Sequence, residues 1–133
     1  MPKILIIEDD TSFAQMLQKF LNRKGYEVEI GFTVKEGKLK LKQTDFDLLL
    51  TDLRLPDAEG IELISGLHKN IPVIIMTGYA EVSSAVNAMK KGAFDYISKP
   101  FTPDAVLTII NTALGPDTAV RPEQDKVTEP KRN

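Results

Sequence analysis

Four short runs of mostly apolar residues recur along the chain, and each ends abruptly in polar or charged residues. They cover residues 4–7, 46–50, 73–76 and 94–97. Continuous apolar runs of this length are typical of strands that are buried on both faces of a parallel sheet. Residues 26–30 alternate more between apolar and polar side chains, which indicates a strand at the edge of that sheet. The pattern therefore predicts five strands.

Helical patterns lie between these runs. Three segments carry apolar residues along one helix face, namely Phe13, Met16, Leu17, Phe20 and Leu21, then Val82, Ala85, Val86 and Met89, and last Val106, Ile109, Ile110 and Ala113. Asp10, Thr11 or Ser12 can cap the first of these helices. A shorter helix is predicted after Gly60. Residues 33–43 are also predicted to form a helix, because neighbouring parallel strands need a crossover between them.

Strands and helices that alternate in this way predict an α/β three-layer sandwich around a parallel, doubly wound sheet. The sandwich takes up residues 1–114. Residues 115–133 contain three prolines, balanced charges and almost no large apolar side chain, so they cannot bury enough surface to order themselves. They are predicted to be a flexible tail or linker, which would join this domain to another one.

Composition and charge restrict the classes of function. The 133 residues suit one domain, and 42% hydrophobic with 27% charged residues is the balance of a globular protein, not of a disordered or membrane-spanning one. The absence of cysteine excludes disulfides and thiolate sites. A net charge of −2 disfavours direct contact with nucleic acid. Because no export signal precedes the first strand, we expect the chain to work in the cytoplasm.

The residues best suited to chemistry follow the carboxyl ends of the predicted strands. They are Glu8, Asp9, Asp52, Thr77 and Lys99. In a parallel sheet these ends lie at one edge, where ligands bind. Three carboxylates there would repel one another without a cation, and an all-oxygen site suits Mg²⁺. An aspartate beside Mg²⁺ and a lysine can attack phosphorus. Asp52 is the predicted nucleophile, because its strand lies between those of the acid pair and of Lys99.

Four motifs carry a family resemblance. They are ILIIEDD (residues 4–10), LLLTDLRLP (48–56), VIIMTGY (73–79) and AFDYISKPF (93–101). In this order and at these spacings they resemble the receiver domain of bacterial two-component response regulators, over residues 3–114. Residues 73–101 are most similar to receivers of the nitrogen-regulation class. The resemblance implies a flavodoxin-like (βα)5 fold with the strand order 2-1-3-4-5, an order for which a member of this family is a standard example.

The resemblance also implies roles for the residues around the nucleophile. Asp52 would accept a phosphoryl group from a sensor histidine kinase, with Mg²⁺ as the cofactor. Asp9 would bind Mg²⁺ directly, Glu8 would bind it through water, and Arg54 would add its backbone carbonyl. Lys99 would bind the phosphoryl group by its positive charge.

A second group of implied roles concerns switching. The hydroxyl of Thr77 would move toward the phosphoryl group, and Tyr96 would swing inward in response. Pro100 would follow a cis peptide bond. The face formed by the fourth helix, the fifth strand and the fifth helix would then change, control an effector that acts on transcription, and serve as a homodimer interface. The effector domain would lie outside this chain.

Other functions stay open on the sequence. A degenerate receiver would act as a protein-interaction module without phosphorylation. An aspartate-based phosphatase would need a second aspartate two residues past the nucleophile, where Arg54 stands. A flavin-binding electron carrier would meet repulsion between its phosphate and the acids of residues 8–10. We therefore expect a signalling switch and not an enzyme with turnover of its own.

Overall fold

The computed structural model describes residues 1–67, 70–78 and 82–115, without the side chain of Val82. Three sequence-based predictions lie outside what is described. They are the flexible tail (residues 116–133), Tyr79 at the end of the third motif, and the contribution of the Val82 side chain to a helix face.

Within the described residues, strands and helices alternate from one end of the domain to the other. The elements are β1 (Lys3–Ile7), α1 (Thr11–Arg23), β2 (Glu27–Gly31), α2 (Val34–Gln43), β3 (Leu48–Asp52), α3 (Glu62–Ser65), β4 (Val73–Thr77), α4 (Val82–Lys90), β5 (Asp95–Ser98) and α5 (Pro103–Leu114). Every pair of neighbouring strands is parallel, and the order across the sheet is β2-β1-β3-β4-β5. The predicted flavodoxin-like sandwich is therefore confirmed.

The sheet is covered by helices on both faces. Ile4 and Ile6 of β1 belong to a core cluster that includes side chains of α1 and α5, whereas Leu5 and Ile7 belong to a second cluster with α2, α3 and α4. This division follows from the alternation of side chains along a strand. All four residues are fully buried, and each contributes about 1.5–3 kcal/mol through burial. The carboxyl end of β1 is thereby held rigidly at the centre of the sheet.

The helix predicted over residues 33–43 is confirmed by α2. The side chain of Thr33 caps it by accepting a hydrogen bond from the backbone N–H of Glu36 at 3.0 Å. Gly37 disfavours a helix, but it faces the sheet, and a Cβ at this position would lie 3.1 Å from Cδ1 of Ile7. The glycine thus lets α2 approach β1 closely.

Two predicted helix faces are wrong in part. Val86 and Met89 of α4 are 46% and 37% exposed, whereas Ala85 and Ala88 are fully buried. In α1, Met16 is also exposed. Helical spacing identifies an apolar side of a helix but not the angle at which that side meets the sheet. In α4 the small alanines face inward, and the larger side chains remain at the surface.

The prediction that residues 94–97 are buried on both faces is also wrong. Of the residues in β5 only Ile97 is buried, and Phe94, just before the strand, is 40% exposed. The cause is topological, because β5 lies at the edge of the sheet and pairs with β4 alone. The other edge strand is β2, which agrees with the alternating pattern of residues 26–30.

Candidate functional site

The carboxyl edge of the sheet brings together side chains that are far apart in sequence. Glu8 follows β1 directly, Asp52 ends β3, Thr77 ends β4, and Lys99 follows β5. Since β1 and β3 are hydrogen-bonded neighbours, their acidic residues lie side by side. The folded chain therefore places the predicted acids and the predicted lysine at one edge, as expected for a parallel sheet.

Lys99 links the two most buried carboxylates of this edge. Its Nζ lies 2.6 Å from Oε1 of Glu8 and 3.3 Å from Oδ2 of Asp52. The Glu8 side chain is only 1% exposed, that of Asp52 14% and that of Lys99 28%. The other oxygen of Glu8, Oε2, accepts the backbone N–H of Asp10 at 3.0 Å. Both oxygens of the buried glutamate therefore have protein partners.

Burial governs the electrostatics of this group. It raises the pKa of Glu8 and that of Asp52, because a charged carboxylate loses hydration on folding. The charge of Asp52 raises the pKa of Glu8 further, while Lys99 opposes the shift in both acids. For Lys99 itself burial acts to lower the pKa, but its contacts with the two acids outweigh burial and raise it. One ammonium thus only partly offsets the negative charge.

The donor set fits a hard divalent cation. Glu8, Asp9 and Asp52 each offer a carboxylate oxygen, and these oxygens lie within 4.8 Å of one another. Asp9 is exposed, so one side of the cluster is open to solvent. Oxygen ligands with room for water are what Mg²⁺ prefers. Asp10 has another task, because its Oδ1 accepts the backbone N–H of Phe13 at 3.0 Å and caps α1.

The loop after β3 is held tightly against the site. The backbone N–H of Gly60 donates to the carbonyl of Leu53 at 2.7 Å, and Arg54 pairs with Glu59 in an isolated antiparallel bridge. A Cβ at position 60 would lie 2.1 Å from the carbonyl oxygen of Asp52, so only glycine fits there. Arg54, whose carbonyl was predicted to bind metal, stands in this constrained loop two residues after Asp52.

Thr77 and Tyr96 share one face of the sheet. Tyr96 pairs in register with Ile75, and Ile75 and Thr77 point to the same side because they are two residues apart in β4. Thr77 is fully buried, and its hydroxyl donates to the carbonyl of Gly78 at 3.1 Å. Tyr96 is half-buried against the second core cluster. The peptide bond before Pro100 is cis, the isomer that the resemblance implied.

An aromatic side chain at this site was not predicted. The Nζ of Lys99 lies 4.8 Å from the centroid of the Phe13 ring, on α1. Phe13 also meets Phe101 edge to face, with centroids 5.5 Å apart. The sequence pattern assigned Phe13 to the core face of α1. Its position in the first turn after the acidic residues was the signal that could have pointed to the site.

Comparison with known proteins extends this description. The family model of the response regulator receiver domain matches residues 4–111. The acid tolerance regulatory protein ActR of Rhizobium meliloti (strain 1021) is 39% identical over 110 residues, which are 80% of this chain and 57% of ActR. The transcriptional regulatory protein ZraR of Escherichia coli (strain K12) is 35% identical over 128 residues, which are 94% of this chain and 29% of ZraR. This chain thus matches only part of the length of either relative.

Solved structures agree with the family match. A CheY-like receiver domain protein from Methanospirillum hungatei JF-1 has a TM-score of 0.80 at 39% identity, covering 86% of this chain and 94% of that one. A receiver domain protein from Clostridium thermocellum has a TM-score of 0.81 at 30% identity, with the same coverage. The fold places the chain among doubly wound α/β proteins, in which ligands generally bind at the carboxyl edge of the sheet. The family match is more specific: the chain belongs to the response regulator receiver domain family of two-component signalling.

In the part of the chain that the structure describes, none of the helices combines the length and the apolar character needed to cross a lipid bilayer.

Proposed function

We propose that this domain is a phosphorylation switch in which Asp52 accepts a phosphoryl group from a sensor histidine kinase. The observation that supports this most directly is the linked trio of Glu8, Asp52 and Lys99, with Asp9 beside it. The trio supplies a nucleophile, a set of oxygen ligands and a positive charge within a few ångströms. Each of the three is needed to move a phosphoryl group onto a carboxylate.

In the proposed reaction, a carboxylate oxygen of Asp52 attacks the phosphorus of a phosphohistidine. The new O–P bond forms as the P–N bond breaks, and the electron pair of that bond returns to the imidazole nitrogen. Asp9 and Asp52 would hold Mg²⁺, with Glu8 acting through water and Arg54 through its backbone carbonyl, and the ion would supply positive charge to the phosphoryl oxygens. Lys99 turns from Asp52 toward one of those oxygens and keeps its hydrogen bond to Glu8.

The switch itself is proposed to run along β4 and β5. The phosphoryl group adds about −1.5 to −2 charges and new acceptor oxygens at the end of β3. Thr77 donates its hydroxyl to one of these oxygens, and Tyr96, on the same face, moves inward. This movement changes the surface of α4, β5 and α5, where Val86, Met89 and Phe94 are already exposed. The same surface is proposed as a homodimer interface.

The output of the switch is proposed to lie in another part of a longer protein. Residues 1–114 would form the receiver, and residues 115–133 would link it to an effector that regulates transcription. ActR and ZraR are regulatory proteins longer than the region they share with this chain. The domain would act by changing state and not by turning over a substrate.

The experiment is to incubate the protein with Mg²⁺ and acetyl phosphate and to measure its intact mass. One added phosphoryl group is expected on the native chain, and none on Asp52→Asn or after chelation of Mg²⁺. Asp47→Asn is the matched control, because Asp47 precedes the same strand at the opposite edge of the sheet. It should be phosphorylated as the native chain is.

Beryllofluoride binding separates a slow or short-lived phosphorylation from no site at all. With Mg²⁺ it should shift the backbone NMR signals of Asp52, Thr77 and Lys99. A native chain that gains no phosphoryl group and also does not bind beryllofluoride would contradict the proposal. That result would favour the degenerate receiver, an interaction module that works without phosphorylation.

A further inference from the structure

The ammonium of Lys99 is enclosed on three sides. Glu8 and Asp52 lie on two of them, at 2.6 and 3.3 Å, and the ring of Phe13 lies on the third, with its centroid 4.8 Å from Nζ. A cation within about 6 Å of a ring centroid is attracted by the negative face of the ring. The ring therefore replaces part of the hydration that the partly buried ammonium loses.

Phe13 is itself held from two directions. Its backbone N–H donates to the capping side chain of Asp10 at 3.0 Å, which fixes the first turn of α1. Its ring packs edge to face against Phe101, with an interplanar angle of 69°. Phe101 follows Lys99 by two residues, so the segment that carries the lysine also supports the ring.

We propose that Phe13 is a positioning residue, whose ring holds the Lys99 ammonium at the acidic edge where an incoming phosphoryl group arrives. A lysine side chain is long and loses considerable rotamer freedom when it is fixed. Without the ring, the ammonium of this side chain, which is 28% exposed, spends more time in solvent. Fewer molecules then present it to the phosphodonor, and the phosphorylation of Asp52 slows.

This inference depends on the proposed function for its kinetic consequence, but the contact itself does not. In the metal-free protein, the ring current of Phe13 should shift the ε-methylene protons of Lys99 upfield. Phe13→Leu should remove that shift. Because this measurement needs neither Mg²⁺ nor a phosphodonor, it tests the contact even if Asp52 turns out not to be phosphorylated.

The kinetic test changes the charge distribution of the ring while nearly keeping its shape. Mono-, di- and trifluorinated phenylalanine at position 13 weaken the negative face step by step. The rate with acetyl phosphate and Mg²⁺ should fall in the same order, by about two- to fivefold in total, which is the usual strength of a partly exposed cation–π contact. Acetyl phosphate is small, so a role of Phe13 in docking a kinase does not enter the result.

Phe20 provides the matched control. It lies on the same helix, about two turns beyond Phe13, and its ring has Lys24 at 5.5 Å. The same fluorinated residues at position 20 should leave the phosphorylation rate unchanged. Phe13→Leu should slow the reaction at least as much as trifluorination does.

Two outcomes would overturn the inference. If fluorination of Phe13 does not change the phosphorylation rate while Phe13→Leu lowers it, the ring is only a packing element of α1. If the Lys99 methylene protons show no upfield shift in the native chain, the contact is not populated in solution. Failure of the native chain to accept phosphate would count against the proposed function, and the proton shift would still decide the contact.

Discussion

The two edges of the sheet differ in how far their charged groups are buried. At the carboxyl edge, Glu8, Asp52 and Lys99 form a cluster in which the glutamate is buried and the pKa of each acid is raised by burial. Ionising these acids in the folded protein therefore costs free energy. The metal-free domain carries that cost whenever both carboxylates are charged.

At the amino edge the charged groups pair close to solvent. Lys3 forms an ion pair with Glu27 at 3.3 Å, and its backbone N–H donates to Asp47 at 2.7 Å, both near solvent. The buried Tyr26 donates its hydroxyl to Oδ1 of Asn111. Lys3 also lies 4.0 Å from Glu29, but the two glutamates that it faces are 53% and 36% exposed, so water screens their charges.

This contrast indicates that the fold is less stable at the carboxyl edge because of the charges that its chemistry requires. Like charges that are crowded away from water destabilise a protein, whereas a satisfied hydrogen bond adds a little stability. Polar substitutions at the two edges should therefore change stability with opposite signs. The first of three predictions tests the loop that supports the acidic cluster, and the other two test this contrast.

The largest effect is expected for Gly60→Ala, which breaks the loop beside the acidic cluster. The new Cβ would lie 2.1 Å from the carbonyl oxygen of Asp52 and 2.7 Å from Oγ1 of Thr51, and the first of these is rigid backbone. We expect a loss of about 3 kcal/mol or more in the free energy of unfolding, measured in urea.

Gly66→Ala is the control for that prediction. Gly66 lies six residues later at the end of α3, where the carbonyl oxygen of Leu63, at 3.9 Å, is the atom of the described residues that an added Cβ would approach. Its unfolding free energy should change by less than about 1 kcal/mol. Equal losses in the two variants would show that the close approach of Gly60 to β3 does not constrain the loop.

Asp52→Asn should stabilise the metal-free protein, by up to about 2 kcal/mol at neutral pH. The substitution removes the charge that faces Glu8 and leaves Lys99 paired. Folding raises the pKa of Asp52. The charged Asp52 carboxylate therefore does not destabilise the protein below the ordinary carboxyl pKa, where the group is protonated in both states. The effect grows as the pH rises through the folded pKa. The difference in unfolding free energy between Asp52→Asn and the native chain, measured in urea, should grow with pH in the same way.

Two comparisons make this second prediction stricter. Asp47→Asn, at the amino edge, should give no gain, since an asparagine oxygen still accepts the N–H of Lys3. Mg²⁺ should stabilise the native chain and narrow its difference from Asp52→Asn, because a ligand of the folded state adds stability by mass action. A native chain more stable than Asp52→Asn without Mg²⁺ would refute the picture of a strained acidic edge.

Much of this site could be predicted because the carboxyl ends of parallel strands lie at one edge of the sheet. Glu8, Asp52, Thr77 and Lys99 each stand at the end of an apolar run, and the topology alone brings such residues to one edge. The order of the strands was not available from the runs, and it came from the family resemblance. Neither source gave the short contact between Lys99 and Glu8, which depends on side-chain directions.

The remaining errors share a physical cause. Spacing along a helix marks an apolar side, but Val86 and Met89 are exposed because the rotation of α4 is set by how closely Ala85 and Ala88 approach the sheet. The contact of Phe13 with Lys99 joins residues on α1 and after β5. Such tertiary details depend on the assembled layers and leave no periodic trace in the sequence.

The smallest effect is expected for Tyr26→Phe at the amino edge. The change removes the hydroxyl that donates to Asn111 and leaves the ring in place. We expect the unfolding free energy to fall by about 1 kcal/mol at neutral pH, which is the usual net value of such a hydrogen bond. The sign is opposite to that of Asp52→Asn, although each variant removes one ionisable group from its edge of the sheet.

Measurements at alkaline pH test whether burial shields the Tyr26 hydroxyl from water. Burial raises the pKa of Tyr26 above its ordinary value of 10.0, so the folded state resists ionisation more than the unfolded state does. The contribution of the hydroxyl is therefore complete below pH 10 and is lost as the pH rises toward the folded pKa. The difference between native and Tyr26→Phe chains should shrink over that range. A constant difference would mean that the hydroxyl stabilises the amino edge without being shielded from water.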